Sequence, residues 1–226
     1  MRRTHSFLAV IPARGGSKSI PKKNIIPLAE KPLIYYTIEE AKKSKYIDRI
    51  IVSTDDQKIA EISKGFGAEV IMRPSEFGTD TARTELAVIH VVETLKNTEG
   101  YEADIVVTLE PTSPLRTHQL IDRCIEKLMT ADADSVIAVV ETSSLVGRVI
   151  DGRFEYLIKN QPRRRQDREP LYKESSAVYV TKTETLLGMQ SVLGQKLYAV
   201  IADRGEAIDI NTPLDFVIAE AVLGRK

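Results

Sequence analysis

Cysteine occurs once in the 226 residues, at Cys124. No internal disulfide is available, which fits a reducing compartment. The lone thiol sits in an apolar helical pattern and reads as a buried structural group rather than a nucleophile. Net charge is also missing: 32 Lys+Arg balance 32 Asp+Glu. No basic excess calls for a nucleic-acid partner, and any anion site must come from local clustering. No apolar run approaches the ~20 residues of a membrane span. The basic residues 1–6 precede a short apolar run without a small-residue cleavage site, so no secretory leader is read there. The expectation is a cytoplasmic protein with no membrane partner. His5, His90 and His118, the 3 histidines, lack metal-ligand spacing. Internal repeats and low-complexity tracts are absent, and neither a GxxxxGK[ST] loop nor a GxGxxG loop occurs.

What is present is an alternation of strand and helix. The 42% apolar and 28% charged content is ordinary for a globular chain. The length suits one large α/β domain or one domain with an insertion. Residues 6–12 are apolar on both faces, as a buried parallel strand requires. Pro32 suits the first turn of a helix in which Leu33, Ile34, Thr37, Ile38 and Ala41 recur at helical spacing. A strand over 49–54 ends in Thr54-Asp55-Asp56, a capping run for a helix carrying Ile59, Ala60 and Ile62. Gly65 and Gly67 stop that helix. A short strand over 69–72 precedes a helix capped by Thr79-Asp80-Thr81, with Leu86, Ile89, Val92 and Leu95 on one face. A strand over 104–109 leads into a helix over 117–130 whose stripe is Leu120, Ile121, Cys124, Ile125 and Leu128. Strands over 135–140, 176–181 and 196–201, a helix near 182–190 and a last helix over about 213–223 complete the pattern. It predicts an α/β fold, a mostly parallel twisted sheet with helices on both faces. Ligands of such sheets bind beyond the carboxyl ends of the strands, so the loops after the first, second and fourth strands should meet on one edge.

Residues 145–172 interrupt the alternation. They are polar, centred on Asn160-Gln-Pro-Arg-Arg-Arg-Gln-Asp-Arg-Glu-Pro. A disordered linker and an arm docked on a partner are the two readings. The flanking β-runs at 148–150 and 154–158, in place of Gly/Ser filler, favour the arm.

The strand over 6–12 breaks at Pro12 into a loop holding Gly15, Gly16, Ser17 and four cations, Arg14, Lys18, Lys22 and Lys23. Glycines let backbone N–H groups approach an anion and the cations neutralise it, so the loop reads as a polyphosphate cradle or as a solvated basic turn. Asp209 and Asn211, two apart on an expected strand, point the same way. They offer oxygens to one Mg²⁺, or they cap the helix that Pro213 opens. Arg73, before Pro74, reads a base edge or is a surface arginine. Thr112 and Ser113 are the polar groups of a rigid turn over 111–116.

In order from about residue 7 to 216, the strings IPARGGSKSIPKKN, STDD, RPSEFGTDTA, LEPTSPLR, RRRQD, ESSAVYV and AIDINTPLDF resemble the acylneuraminate cytidylyltransferase family, the CMP-sialic acid synthetases and their relatives. The resemblance implies one Rossmann-like nucleotidyltransferase domain over 1–226. It implies a homodimer in which an inserted dimerisation arm at about 141–175 helps build the partner's active site. The implied reaction transfers CMP from CTP to an acidic nine-carbon keto-sugar with Mg²⁺ and releases pyrophosphate. By position, Arg14, Gly15, Ser17, Lys23 and Asn24 would hold the triphosphate and ribose, and Arg73, Ala82 and Thr84 the cytosine side. Glu110 and Tyr179 would face the sugar. Arg165 and Lys173 would lie near its carboxylate or the phosphates. Asp209 and Asn211 would hold the metal, and Arg14, Lys23 and Asp209 would form the catalytic set.

Four positions depart from the family. Glu110 replaces a glutamine; a carboxylate accepts hydrogen bonds and repels a sugar carboxylate close by. That points to an amino or hydroxyl group opposite it, and to a sialic-acid relative such as legionaminate. Asn211 replaces an aspartate, implying weaker metal binding. Glu174-Ser-Ser-Ala177 replaces Glu-Asn-Gly-Ala, and Lys173 an arginine. The rival readings are a nucleotidyltransferase for another sugar or base, and a nucleotide-binding protein without turnover.

Overall fold

The computed structural model describes residues 5–16, 20–78 and 83–224. Strand β1 (Phe7–Pro12) leads through a small hairpin, β2 (Pro27–Leu28) and β3 (Lys31–Pro32), into α1 (Leu33–Lys43). There follow β4 (Arg49–Thr54), α2 (Gln57–Gly65), β5 (Glu69–Met72), α3 (Thr84–Glu99), β6 (Ile105–Thr108), α4 (His118–Thr130) and β7 (Ser135–Thr142). A second hairpin, β8 (Gly147–Ile150) and β9 (Arg153–Tyr156), precedes β10 (Leu171–Lys182), α5 (Thr183–Met189), β11 (Leu197–Ile201) and α6 (Pro213–Leu223). Seven strands form one sheet in the order β11-β7-β10-β6-β1-β4-β5. β10 is antiparallel to both neighbours, and the other pairings in this sheet are parallel.

Alternation along β1 shows why helices cover both faces. Phe7, Ala9 and Ile11 pack with Ile34 and Ile38 of α1, Ile59 of α2 and the α4 stripe from Leu120 to Leu128. Leu8 and Val10 point the other way, onto Val88, Ile89, Val91, Val92 and Leu95 of α3 and Leu186 of α5. Each buried Leu or Ile contributes about 1.5–3 kcal/mol. Cys124 is fully buried in the first layer, and burial pushes its thiol up to about 12, as an inert core group requires. No helix among the described residues is long and apolar enough to cross a membrane.

β4 and β5 extend the sheet to one side of β1, whereas β6 lies on the other. The chain therefore reverses its strand order between β1 and β6, which opens a crevice beyond their carboxyl ends. Backbone bonds hold these ends level: Ala13 N–H donates to Ser53 O at 2.9 Å, Leu109 N–H to Val10 O at 3.0 Å and Arg73 N–H to Thr54 O at 2.9 Å.

One capping expectation holds, and several other local ones are corrected. Asp56, of the capping run, caps α2 by accepting from Ile59 N–H at 2.9 Å. The capping run expected for α3, residues 79–81, lies outside the described residues, and the helix starts after Arg83 with no side-chain cap. Leu86, expected on the buried face, is 36% exposed, because the face that meets the sheet is set by Val88, Val91, Val92 and Leu95. Residues 208–211 are no strand. They are held instead by Ile210, which is fully buried and donates from its N–H to Thr112 O at 2.8 Å.

The polar interruption is shorter than its sequence. Residues 171–174 belong to β10 and pair with residues 139–142 of β7, so they are sheet rather than arm. Between them, β8 and β9 form a separate two-stranded sheet, closed by Leu157 N–H on Val146 O at 3.0 Å. The Arg168 guanidinium donates to Pro162 O at 2.7 Å, to Ser143 O at 2.6 Å and to Arg163 O. That clamp argues against a structureless linker.

β10 carries a register shift between Glu174 and Tyr179. Ser176 lies within it at φ 55°, at the position where the resembling family has glycine. A side chain in that left-handed region costs about 1 kcal/mol. Ser176→Gly is expected to be more stable than Ser176→Ala by about 1 kcal/mol in denaturant midpoints, since neither variant keeps the hydroxyl. Equal midpoints would contradict this account of the bulge.

Candidate active site

The crevice between the β1 and β6 ends is a cleft of about 310 Å³, lined by Arg14, Gly16, Lys23, Asn24, Arg73, Phe77, Arg83, Thr84, Glu110, Thr112 and Asn211, among others. The loop after β1 supplies the cations Arg14 and Lys23. Asn24 is buried and donates to Arg14 O at 2.9 Å, which folds this loop back on itself. The Lys23 ammonium donates to Ile210 O at 2.9 Å. Burial pulls its pKa down while the Asp209 charge opposes that pull.

Asp209 and Asn211 flank the buried Ile210 and meet each other, Asn211 Nδ2 donating to Asp209 Oδ2 at 2.6 Å. Asp209 Oδ1 is buried and has no hydrogen-bond partner among the described residues. Asp215 accepts from the N–H groups of Asn211 at 3.0 Å and Thr212 at 2.7 Å. It completes a capping box at the start of α6, so the capping role expected for Asp209 and Asn211 falls to Thr212 and Asp215. Among the described residues no group of three or more His, Cys, Asp or Glu is placed to hold a metal.

A second hollow of about 540 Å³ adjoins the cleft and shares Asn211 with it. Lys173, Glu174, Ser175, Arg204, Asp209 and Ile218 are among its lining residues. Of the expected site residues, Arg14, Lys23, Asn24, Arg73, Thr84, Glu110 and Asn211 thus come together in the first space, and Lys173, Asp209 and Asn211 in the second. Tyr179 lines neither of the two; its ring packs under the sheet and its hydroxyl donates to Glu174 Oε1 at 2.5 Å. Arg165 lines a separate hollow of about 330 Å³ at the base of the second hairpin, 3.8 Å from Glu141. Gly15 turns its N–H to Asp55 Oδ1 at 3.2 Å, and Gly16 lines the cleft. Ser17 and Ala82 lie outside the described residues.

Sequence reasoning gave no role to Arg116. Its guanidinium is fully buried, donating from Nη1 to Ala177 O at 2.5 Å and to Glu110 O at 3.1 Å, and from Nη2 to Thr37 Oγ1 at 2.6 Å. It bolts the loop after β6 to α1 and to the β10 bulge. The signal was a cation in a Pro-rich turn between apolar segments. Arg83 and Phe77 were also missed as lining residues, whereas Thr112, one of the polar groups of the 111–116 turn, lines the cleft as well.

Glu110 does not carry the fixed charge its sequence suggests. Burial, and then the Asp209 charge, push its carboxyl up to about 7. At neutral pH it is a donor part of the time, as the family's glutamine is.

These features have matches among known proteins. The profile of the cytidylyltransferase family fits residues 8–208. The chain belongs to that family. A CMP-N,N'-diacetyllegionaminic acid synthase of Legionella pneumophila is 33% identical, over 96% of this chain and 96% of its own length. An N-acylneuraminate cytidylyltransferase of Escherichia coli is 28% identical, over 97% of this chain and 52% of its own length. The chain spans about half the length of the N-acylneuraminate cytidylyltransferases it matches. A solved CMP:2-keto-3-deoxy-manno-octonic acid synthetase complexed with CTP aligns with TM-score 0.69 at 19% identity, covering 97% of this chain and 99% of that one. At that identity the likeness speaks of fold alone.

Glu110 sets a pH test for this chain. Between pH 4.5, its ordinary value, and about 7, the folded chain keeps a proton that the unfolded chain releases. Its contribution to stability is therefore lost as pH rises through that window. Glu110→Gln is expected to gain stability relative to wild type between pH 5 and pH 8, read from denaturant midpoints with EDTA present. A difference independent of pH overturns the assignment.

Proposed function

We propose that the chain transfers CMP from CTP to a sialic-acid-like nonulosonic acid, of the N-acetylneuraminate or legionaminate type, and releases pyrophosphate. The observation that carries this reading is the crevice at the strand reversal, where Arg14, Lys23 and Arg73 face one space together with Asn211. The names of the relatives from Legionella pneumophila and Escherichia coli supply the acceptor class.

In this reading Arg14 and Lys23 hold the triphosphate, and Arg73 and Thr84 lie at the base end. The acceptor occupies the second hollow, with Lys173 beside its carboxylate and Glu174 held by Tyr179. The anomeric oxygen bonds to the α-phosphorus as the bond to the β-phosphate oxygen breaks, and the hydroxyl proton is released. Positioning and neutralisation of charge account for most of the rate in such a transfer. Lys23 stabilises charge developing on the leaving pyrophosphate.

Asp209 and Asn211 are the pair that would hold Mg²⁺. The donor set fits: Asp209 Oδ1 is buried without a partner among the described residues, and one carboxylate beside one amide leaves coordination positions for phosphate oxygens and waters. Bound there, the ion neutralises phosphate charge. We further infer a homodimer joined through the β8–β9 hairpin, because Val149 is 73%, Phe154 54% and Leu157 55% exposed. Apolar side chains gathered on a hairpin in this way suit a partner surface. The buried, unpaired Cys124 supports a cytoplasmic setting.

Pyrophosphate release from CTP with a panel of nonulosonic acids tests the reaction. Turnover is expected only with Mg²⁺, and Lys23→Ala should lower kcat/KM about a hundredfold. Tight CTP binding with silence toward every acceptor would refute it. Replacing residues 147–156 by a two-residue turn is expected to convert a dimer into a monomer by light scattering. A dimer that persists after this replacement refutes the arm.

A further inference from the structure

Two loops at the strand ends converge on the Asp55 carboxylate. Asp55 follows β4. Its Oδ1 accepts from Gly15 N–H at 3.2 Å and from Arg73 Nη2 at 3.3 Å. Gly15 belongs to the loop after β1 that carries Arg14. Arg73 follows β5, is 7% exposed and lines the cleft. Both loops also press on the 55–56 turn: a Cβ on Gly78, in the loop of Arg73, would fall 2.6 Å from Asp55 Cγ, and one on Gly15 would fall 2.8 Å from the Asp56 Cβ. Glycine at 15 and 78 is what lets these loops close on the 55–56 turn.

The charges fit a holding role. A guanidinium this deeply buried needs an anion, and Asp55 is the carboxylate that pairs with it. Arg73 Nε has no partner among the described residues, and the planar fork is held at Nη2 by Asp55.

We propose that Asp55 is a positioning residue of the transfer reaction, holding Arg73 and the Gly15 turn at a fixed separation and so setting the distance between the base end and the triphosphate end of the cleft. The proposal rests on the CTP reading above. Asparagine at 55 would keep an oxygen for the Gly15 N–H. It would offer Arg73 no charge, and its NH₂ would oppose the guanidinium donors.

The test uses the full chain, with Asp55→Asn as the near-isosteric variant and Asp55→Ala as the harsher one. Asp55→Asn is expected to raise KM for CTP about tenfold, the scale of one hydrogen bond to a charged group. It should leave kcat within about twofold and KM for the acceptor sugar unchanged. Combined with Arg73→Lys, it should add nothing to the CTP loss of Arg73→Lys alone, since both changes break one contact. A CTP KM that does not move, equal rises for CTP and sugar, or losses that multiply across the pair overturn the inference while leaving the CTP reading intact. Wild-type protein that binds no CTP in titration calorimetry overturns both.

Discussion

The Lys23 ammonium reaches the carbonyl of Ile210 at 2.9 Å, and the arrangement of the site depends on that contact. Ile210 is tied on its other side through its N–H to Thr112 O at 2.8 Å. The segment bearing Asp209 and Asn211, remote in sequence, is thus pinned to the loop after β1 and to the loop after β6, the two walls of the strand reversal. Because Ile210 is fully buried among Ile20, Leu28, Leu33 and Ala219, its two neighbours turn outward, Asn211 to the cleft and both Asp209 and Asn211 to the adjoining hollow. The contact is electrostatic as well as geometric. Lys23 lies in the field of Asp209 and Glu110, and its cation offsets the repulsion between those two carboxyl groups.

Much of the frame was legible because the sheet is buried on both faces and its helices are amphipathic. β1, β4, β5, β6 and β7 each start within a residue of their expected position, and the stripe of α4 is the one its spacing predicts. The failures share a cause. Residues 171 and 172 fell in the polar run because their strand runs past the edge of the core, and the resemblance extended the arm to about 175. Leu86 fits a helical period as well as Val88 does, and only the direction of the neighbouring strands decides between them. Residues 208–211 behave as a strand in presenting Asp209 and Asn211 together, yet form no ladder. One buried isoleucine between two polar residues gives the same outcome.

The site was legible as a set of cations and carboxylates and much less so as a set of contacts. Arg14, Lys23, Asn24, Arg73 and Glu110 meet because the strand ends are level, which the α/β pattern implies. Asp55 and Arg116 hold their neighbours over sequence separations of 40 and 61, and no local pattern marks such partners. Both act through backbone groups as well, Asp55 on an N–H and Arg116 on carbonyls, and backbone partners leave no trace in residue identity.

Glu110 shows how far environment overrides residue type. Read as a carboxylate, it excludes a sugar carboxylate nearby and weakens the cradle for an anion. Burial and the Asp209 charge bring its pKa to about 7, so that near neutrality about half of it is uncharged. The field of the cleft then comes from Arg14, Lys23, Arg73 and Arg83, with Glu110 the one acidic side chain among the described residues lining it. A chain of zero net charge thereby presents a locally cationic crevice. Polyphosphate entering it adds negative charge near Glu110 and favours the protonated form further. Replacing glutamine by glutamate at this position therefore conserves a hydrogen-bond donor when an anion is bound. In the empty cleft about half of the Glu110 charge is present near neutrality.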